Sequence, residues 1–600
     1  MTTPSSVTRR PTPHRYTPDV SRAATDLAPP ARRDEARWSS RLVLVGYVTV
    51  CALALLASWT SLRNGFAYDD VVVIAKNARV HTLHDWWHIF REAYWPPPYS
   101  GGLYRPLVIL SYALLWKVGS GSPLPFHVAA VVLYAATCAA MYRLARTALS
   151  ERAAWVAAAL FAVHPVHVEA VGNMVGMAEV LCGLALLLAV AIFVEARRAN
   201  RLGARTLTAI GALYVIAALS KEHGFFLPAL LLIAELLLVD DARPMRARVR
   251  ALLPLGALLG VIGALYLLSR GTIADVAFGA RYTAVLTRYP WRVRLFTFFN
   301  IVQEWVRLLF WPAQLSIDYS PQRTLVPMQW TMGQLPGVVI IACVSLGGVV
   351  LAWVNRRVAF AIGWLGVTLA VPSGLLVATG FILAERTLFA PSVGAALLAG
   401  FAAQGLWSWS EREAPETRRV VRGAAAVGFA VLVACGAWRS AQRQSVWRSN
   451  DTVFTQIVVD APLSYRAQYA HGAYLFEKKK QFRDGERHLR MAIRLFDADP
   501  EPREYLALQY AANDFCAPAI PLLNEAMELR GRINNELAER YRAPRAALIK
   551  CYLQQARYDS AAVIARQSVA IDPRDTTAAR LLATADSALL RSGGPVSPRK

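Results

Sequence analysis

The chain has 600 residues, 55% of them hydrophobic, with 65 Lys and Arg against 41 Asp and Glu and a mean hydropathy of +0.32. Apolar runs near 20 residues recur between arginines, which excludes an ordinary soluble globular enzyme and describes a polytopic membrane protein. The formal charge of +24 does not point to nucleic acid, because much of the arginine lies in the N-terminal tail and in short turns between apolar runs.

Residues 1–40 are rich in Pro, Thr, Ser and Arg without apolar periodicity and read as a disordered basic cytoplasmic tail. The run from Arg41 to about Thr60 has no small-x-small cleavage site and reads as an uncleaved signal anchor with its N-terminus inside. Asp69 and Asp70 then emerge on the outer face, in a large outer loop over 61–123. Two adjacent carboxylates at the mouth of a membrane helix repel one another, and cations, a metal or a proton-transfer role would account for them. Taken alone the pair also fits a solvated loop.

The same loop holds His84-Asp-Trp-Trp-His88, Pro96–Pro98 and Tyr104-Arg-Pro106. The short run after Tyr104 is expected along the membrane interface. Further spans are expected near 125–145, 152–168, 177–196, 206–220, 224–240, 250–269, 335–355, 358–378, 388–409 and 419–438, about 11 in all. The stretch 296–312 is flanked by charge and is placed in the interface. Arginine clusters at 143–152, 197–205, 243–250 and 356–357 alternate with arginine-poor turns, as a positive-inside chain requires. The fold class is therefore all-α, with a multispan domain over 41–440.

After Trp438 the composition turns to polar helices. Ala507, Tyr510, Ala519, Leu523 and Ala526 fit the small and aromatic positions of a helix–turn–helix repeat of about 34 residues, and Tyr552, Ala561, Ala565 and Pro573 recur in the same places. Residues 441–590 are read as a tetratricopeptide-repeat α-solenoid with a loop inserted near 530–540, and 591–600 as a tail. Cys516 and Cys551 could pair, although two free or buried thiols are the expectation; the other cysteines fall within apolar runs.

Ionisable groups gather at outer helix ends: His164, His167, Glu169, Glu179, Lys221, Glu222, His223, Glu385 and Arg386, beside Asp69, Asp70 and Arg105. Charge near hydrocarbon is costly, so separate segments placing charge on one face suggest a shared polar cavity. Each piece also has a plainer reading. Lys221-Glu222 and Glu385-Arg386 fit local ion pairs at helix ends, and two histidines at i, i+3 make weak evidence for a metal. Within a cavity, Arg105, Lys221 and Arg386 can neutralise a phosphate, while a carboxylate can take a proton from an acceptor hydroxyl. Nucleotide sugars are not normally available at the outer leaflet, so the expected donor is a sugar on a polyprenyl phosphate. Inverting single displacement from such a donor needs one base; no metal ligand set is assigned, and a divalent metal is compatible with the chemistry but not implied.

Phe66-Ala-Tyr-Asp-Asp70, Tyr104-Arg-Pro106, Phe161-Ala-Val-His-Pro-Val-His-Val-Glu-Ala170, Gly176-Met-Ala-Glu179, Leu219-Ser-Lys-Glu-His-Gly224 and Ala384-Glu-Arg-Thr-Leu-Phe-Ala-Pro-Ser-Val-Gly394 occur in that order. Together with the terminal repeats, the combination resembles the transmembrane and tetratricopeptide-repeat protein O-mannosyltransferases of the GT-C superfamily, over about 45–575. The resemblance implies an acidic base in the first outer loop, here Asp69 with Asp70 as second candidate, and donor phosphate or sugar contacts among Arg105, His164, His167, Glu169, Glu179, Lys221, Glu222, Glu385 and Arg386. It implies transfer of a hexose, mannose being expected, to a hydroxyl of a protein or exported glycan held on the repeats. Met177 departs from the family pattern, which usually has arginine there, so the resemblance does not carry over one phosphate or carboxylate contact, nor with it the identity of the donor sugar. The rival readings are an envelope oligosaccharide ligase or polymerase, which would be expected to use a late outer loop, and a non-catalytic membrane scaffold that recruits proteins through its repeats.

Overall fold

The computed structural model describes residues 40–97, 102–273, 286, 289–376, 381–533 and 542–592. The basic tail to residue 39, the end of the proline cluster, residues 534–541 of the expected inserted loop and the tail from 593 lie outside the described residues. No strand occurs among the described residues, and the apolar runs are helical. That follows from the solvent: a backbone in lipid has no water to bond, and a helix satisfies its polar groups within one segment.

The chain divides into two units, Met1–Val45 and Gly46–Lys600. Of the first, residues 40–45 are described and are helical, as the opening of α1 (Ser40–Ser58). In the second, α2 (Pro106–Gly119), α3 (Leu124–Ala148), α4 (Glu151–Ala162), α5 (Val168–Gly172) and α6 (Met177–Arg198) follow the first outer loop. Next come α7 (Ala204–Ser220), α8 (Leu227–Leu237), α9 (Met245–Ile273) and α10 (Trp291–Phe310). Helices α11 (Leu335–Val354), α12 (Arg356–Leu369), α13 (Ser392–Ser410) and α14 (Pro415–Gln444) complete the apolar part.

Among the described residues six helices are long and apolar enough to cross a membrane, and α4 with the segment Pro165–Gly172 makes a seventh if that pair, bent by 48°, is one broken span. The chain is an integral membrane protein. Fewer helices than the 11 or so expected runs are of that length and composition among the described residues, because turns and prolines interrupt several of the runs. The run at 224–240 is cut by the Glu222–Phe226 turn, leaving the 11-residue α8. The runs after Tyr104 and at 206–220 yield shorter apolar helices. Helix α10, at the ambiguous 296–312 stretch, is amphipathic and is not among the helices long and apolar enough to cross a membrane.

Helix α6 is the hub. Of its apolar stretch 78% is buried, against 6% for α11 and for α14, so it packs centrally while those two turn broad faces outward, toward lipid. Tyr134, Phe161, Leu186, Phe193, Trp364 and Phe389 belong to the core around it. Its two ends differ in chemistry. At the C-terminal end, Arg197 pairs in the interior with Glu235 (2.8 Å) and Asp241 (2.7 Å), Arg248 joins Glu235 (3.0 Å), and Arg143 pairs with Glu195 (2.7 Å). The N-terminal end, about 30 Å away along 22 residues, carries Glu179 and the candidate site.

Beyond α14 the chain continues as α15 (Asn450–Asp460), then helical pairs α16 (Tyr465–Tyr474) with α17 (Phe482–Leu495), α18 (Glu501–Ala512) with α19 (Cys516–Ile533), and α20 (Arg542–Gln554) with α21 (Tyr558–Ile571), closed by α22 (Thr576–Arg591). Ala507, Ala519, Leu523, Ala526, Ala561 and Ala565 are buried, at the small positions where paired helices approach. Cys516 and Cys551 form a disulfide between α19 and α20, with Cα atoms 5.0 Å apart. This corrects the expectation of free thiols: spacing in sequence does not disclose that the packing of these helices brings the two positions together.

Candidate functional site

Asp69 and Asp70 point into different surroundings. Asp70 is 1% exposed and accepts hydrogen bonds from the backbone N–H groups of Met174 (3.1 Å) and Val175 (2.9 Å), just before α6. It clamps the outer loop to the hub helix and blankets orphan donors there. Burial pushes its carboxyl up to about 7, against the lowering effect of those bonds. Asp69 keeps 21% of its side chain exposed and lies 3.9 Å from the Arg386 guanidinium. Burial raises its carboxyl above the ordinary range; Arg386 and Arg466 oppose this, and Glu169 adds to it.

The break at Pro165 positions Glu169. Proline cannot continue α4, so the chain turns and restarts as the short α5, whose Glu169 meets Arg386 at 2.5 Å and also accepts from the Arg386 backbone N–H at 2.9 Å. Lys221 lies where α7 ends, in extended backbone, and its ammonium reaches Glu179 at 2.7 Å. Gly224 makes this turn: a Cβ there would come within 2.2 Å of the Ala217 backbone. Arg105, packed over the Tyr94 ring, makes a two-point contact with Glu222, Nε to Oε1 at 3.1 Å and Nη2 to Oε2 at 2.7 Å. Glu222 is held well below the usual carboxylate range by Arg105 and then Lys221, which outweigh its burial.

These pairs form one electrostatic group. The charges of Glu169, Asp69 and Glu179 all reach Arg386, and that of Glu179 also reaches Arg105. Asp69, Arg105, Glu169, Glu179, Lys221, Glu222 and Arg386 are thus brought together from separate segments. Three other candidates face elsewhere. His164 bonds to the Leu309 carbonyl (3.0 Å) and accepts from the Val166 N–H (3.3 Å). His167 lies between the Tyr134 hydroxyl (2.9 Å) and the Ser392 hydroxyl (2.8 Å). Glu385, next to Arg386 in sequence, accepts from the Ser316 N–H (2.5 Å) and the Tyr319 hydroxyl (2.7 Å); burial raises its carboxyl to about 7. Among the described residues no group of three or more His, Cys, Asp or Glu is arranged to hold a metal ion.

The sequence reading missed Asn450 and Arg466. The Asn450 side chain accepts from the Tyr68 N–H at 2.7 Å, and the charge of Arg466 reaches Asp69 and Tyr68. Both lie in polar helices, where such residues are ordinary and no sequence signal separates them. His223, also noted in the sequence, is buried beside Lys221, and neither ring nitrogen has a hydrogen-bond partner among the described residues.

Residues 105–269 match the family described as dolichyl-phosphate-mannose-protein mannosyltransferase. The protein O-mannosyl-transferase TMTC3 of Mus musculus is 25% identical over 438 residues, 66% of this chain and 45% of that protein. Tmtc3 of Drosophila melanogaster is 23% identical over 562 residues, 80% of this chain and 58% of that protein. Tmtc2 of Drosophila melanogaster is 33% identical over 285 residues, 45% and 30% of the two chains. The chain spans about half the length of the curated relatives it matches. Among solved structures, an oligosaccharyltransferase of Archaeoglobus fulgidus tethered with an acceptor peptide aligns with a TM-score of 0.42 at 14% identity, covering 76% of this chain and 59% of that one. The chain resembles the O-mannosyl-transferase family.

Proposed function

We propose that this protein is a membrane glycosyltransferase of the GT-C type that moves a mannose from a polyprenyl phosphate to a hydroxyl of a protein. The observation that carries the reading is the gathering of Asp69, Arg386, Glu169, Glu179, Lys221 and Arg105 at one end of the hub helix. The likeness to named O-mannosyl-transferases, and to a family described by its dolichyl-phosphate-mannose donor, supports the donor class.

The acceptor hydroxyl gives its proton to the Asp69 carboxylate as its oxygen attacks the anomeric carbon. The bond from that carbon to the phosphate oxygen breaks on the opposite face, and the polyprenyl phosphate leaves with the electron pair. The raised pKa of Asp69 makes it a stronger base, and its remaining exposure admits the acceptor. Arg386, Lys221 and Arg105 offset the phosphate charge, and their carboxylate partners hold them in place before the donor arrives. The unpartnered His223 ring offers the donor head a further hydrogen bond. Asp70 acts as a clamp, and His164, His167 and Glu385 hold the walls of the site.

The basic turns at the far end of α6 support a cytoplasmic position for that end by the positive-inside rule, and an outer position for the site. The Cys516–Cys551 disulfide suits an oxidising, extracytoplasmic repeat domain. Membranes bearing the protein, supplied with labelled polyprenyl-phosphate mannose and a protein acceptor, are expected to accumulate label in an α-linkage when the donor is β-linked. A retained β-linkage would reject single displacement. No dependence of labelling on this chain would favour the scaffold.

A further inference from the structure

Each cation of the candidate site already has a carboxylate. Arg105 is matched by Glu222 (2.7 Å), Lys221 by Glu179 (2.7 Å) and Arg386 by Glu169 (2.5 Å), and the Asp69 carboxylate is left over. A phosphate entering this group meets no excess of positive charge, so its binding calls for a further cation.

The last turn of α9 carries one. Arg270 makes no ion pair among the described residues; its Nη2 donates to the Gly102 carbonyl (3.3 Å), three residues before Arg105, and its Nε is buried without a hydrogen-bond partner. Tyr266 lies one turn earlier on the same face of the helix, at i, i+4. It is 5% exposed, and its ring stands 6.5 Å from that of Tyr104 and 6.1 Å from that of Phe225. Tyr104 precedes Arg105, and Phe225 follows the turn of Lys221–Gly224, so α9 closes the site on that side. The Tyr266 hydroxyl, the Ser220 hydroxyl and both ring nitrogens of His223 are buried and without a partner among the described residues. Unmatched polar atoms are costly in a protein interior, and several in one place call for a polar ligand that supplies the bonds.

The lipid side of α9 indicates where that ligand comes from. Val261, Leu265 and Leu268, at i, i+4 and i+7, are 59–64% exposed, and 22% of the apolar stretch of the helix is buried. A headgroup on a lipid tail can therefore reach Arg270 and Tyr266 from the bilayer while its tail stays on this apolar face.

We propose that Arg270 and Tyr266 bind the phosphate of the lipid-linked donor, and that Arg270 supplies the positive charge that the paired cations do not. This rests on the proposed transfer reaction and names a further part of its donor site. As the acceptor proton passes to Asp69 and the anomeric bond breaks, the phosphate keeps the electron pair and gains a second negative charge. A cation without a carboxylate partner meets that charge in full.

The test is binding of labelled polyprenyl-phosphate mannose to the purified native chain, Arg270→Gln, Arg270→Lys, Tyr266→Phe and, as a control at the other end of α9, Arg250→Ala. Gln at 270 keeps an N–H for the Gly102 carbonyl and removes the charge, and thermal midpoints report folding. Arg270→Gln is expected to weaken donor binding by about ten- to a hundredfold and Tyr266→Phe by about three- to tenfold, with the acceptor KM unchanged. Arg270→Lys is expected to keep most of the native affinity, and Arg250→Ala all of it. Unlabelled polyprenyl phosphate is expected to displace the donor, and inorganic phosphate at the same concentration to leave it bound. Native affinity in Arg270→Gln or in Tyr266→Phe would overturn the inference. So would an Arg270→Lys variant as weak as Arg270→Gln, which would assign the residue to holding the segment before Arg105. Equal displacement by inorganic phosphate would reject a site for a lipid headgroup. These outcomes leave the functional reading standing; a native chain that binds no donor would remove that reading and the inference with it.

Discussion

Burial and partner choice separate carboxylates that look alike in the sequence. Asp70 spends both oxygens on backbone donors, whereas Asp69 keeps an exposed edge beside a cation. Asp70→Asn can accept one of the two bonds and leaves the other donor unmatched. It is expected to lose roughly 1–3 kcal/mol of stability, read as a lower thermal midpoint, with transfer reduced and not abolished. Glu385 gives a second, independent signature. Its folded pKa of about 7 lies above its ordinary 4.5, so its stabilising contribution is complete below about pH 4.5 and is lost as pH rises through about 7. Glu385→Gln keeps an oxygen for Ser316 and Tyr319 and has no charge to bury. Its thermal midpoint is expected to exceed the native one at pH 8 and to converge with it near pH 5. An equal difference at both values would reject burial of an ionising Glu385.

Helix breaks place the chemistry. Glu169 follows the turn at Pro165, Lys221 follows the end of α7, and Arg386 lies in the short turn Glu385–Leu388 before α13. The turn after α7 depends on close backbone approach at Gly224. Gly224→Ala must displace either the Ala217 backbone or the Lys221–His223 turn, and overpacking of this kind costs about 1–3 kcal/mol. A raised donor KM together with a lower thermal midpoint is expected; a native KM would detach this turn from donor binding. The cluster was legible in the sequence because charge beside apolar runs is expensive and conspicuous. Span lengths were less so, since hydropathy does not reveal where a proline or an ion pair stops a helix. The two histidines of His164-Pro-Val-His167 stand out equally in sequence, yet the fold gives both of them protein partners. Arg466 was hidden, and the pairing of Cys516 with Cys551 left open, for the opposite reason: their meaning arises only when distant polar helices meet.

On the scale of the molecule, one helix separates two chemistries. The hub α6 has the paired arginines at one end and the Asp69 group at the other, and the repeat helices continue from the latter. A reporter fused after the last repeat is accordingly expected to be active only outside the cytoplasm, with Cys516 and Cys551 refractory to thiol reagents until reduced. Cytoplasmic reporter activity with freely reactive thiols would reverse the orientation.

The most direct measurement compares sugar transfer from labelled polyprenyl-phosphate mannose by purified native protein, Asp69→Asn and Asp70→Asn, alongside donor binding by each. Asn at 69 keeps the shape and removes the base, so transfer is expected to fall by about two to four orders of magnitude while donor binding persists. Asp70→Asn is expected to retain measurable transfer. Near-native transfer by Asp69→Asn would contradict the account, because the carboxylate at the centre of the charged group would then have no part in the reaction.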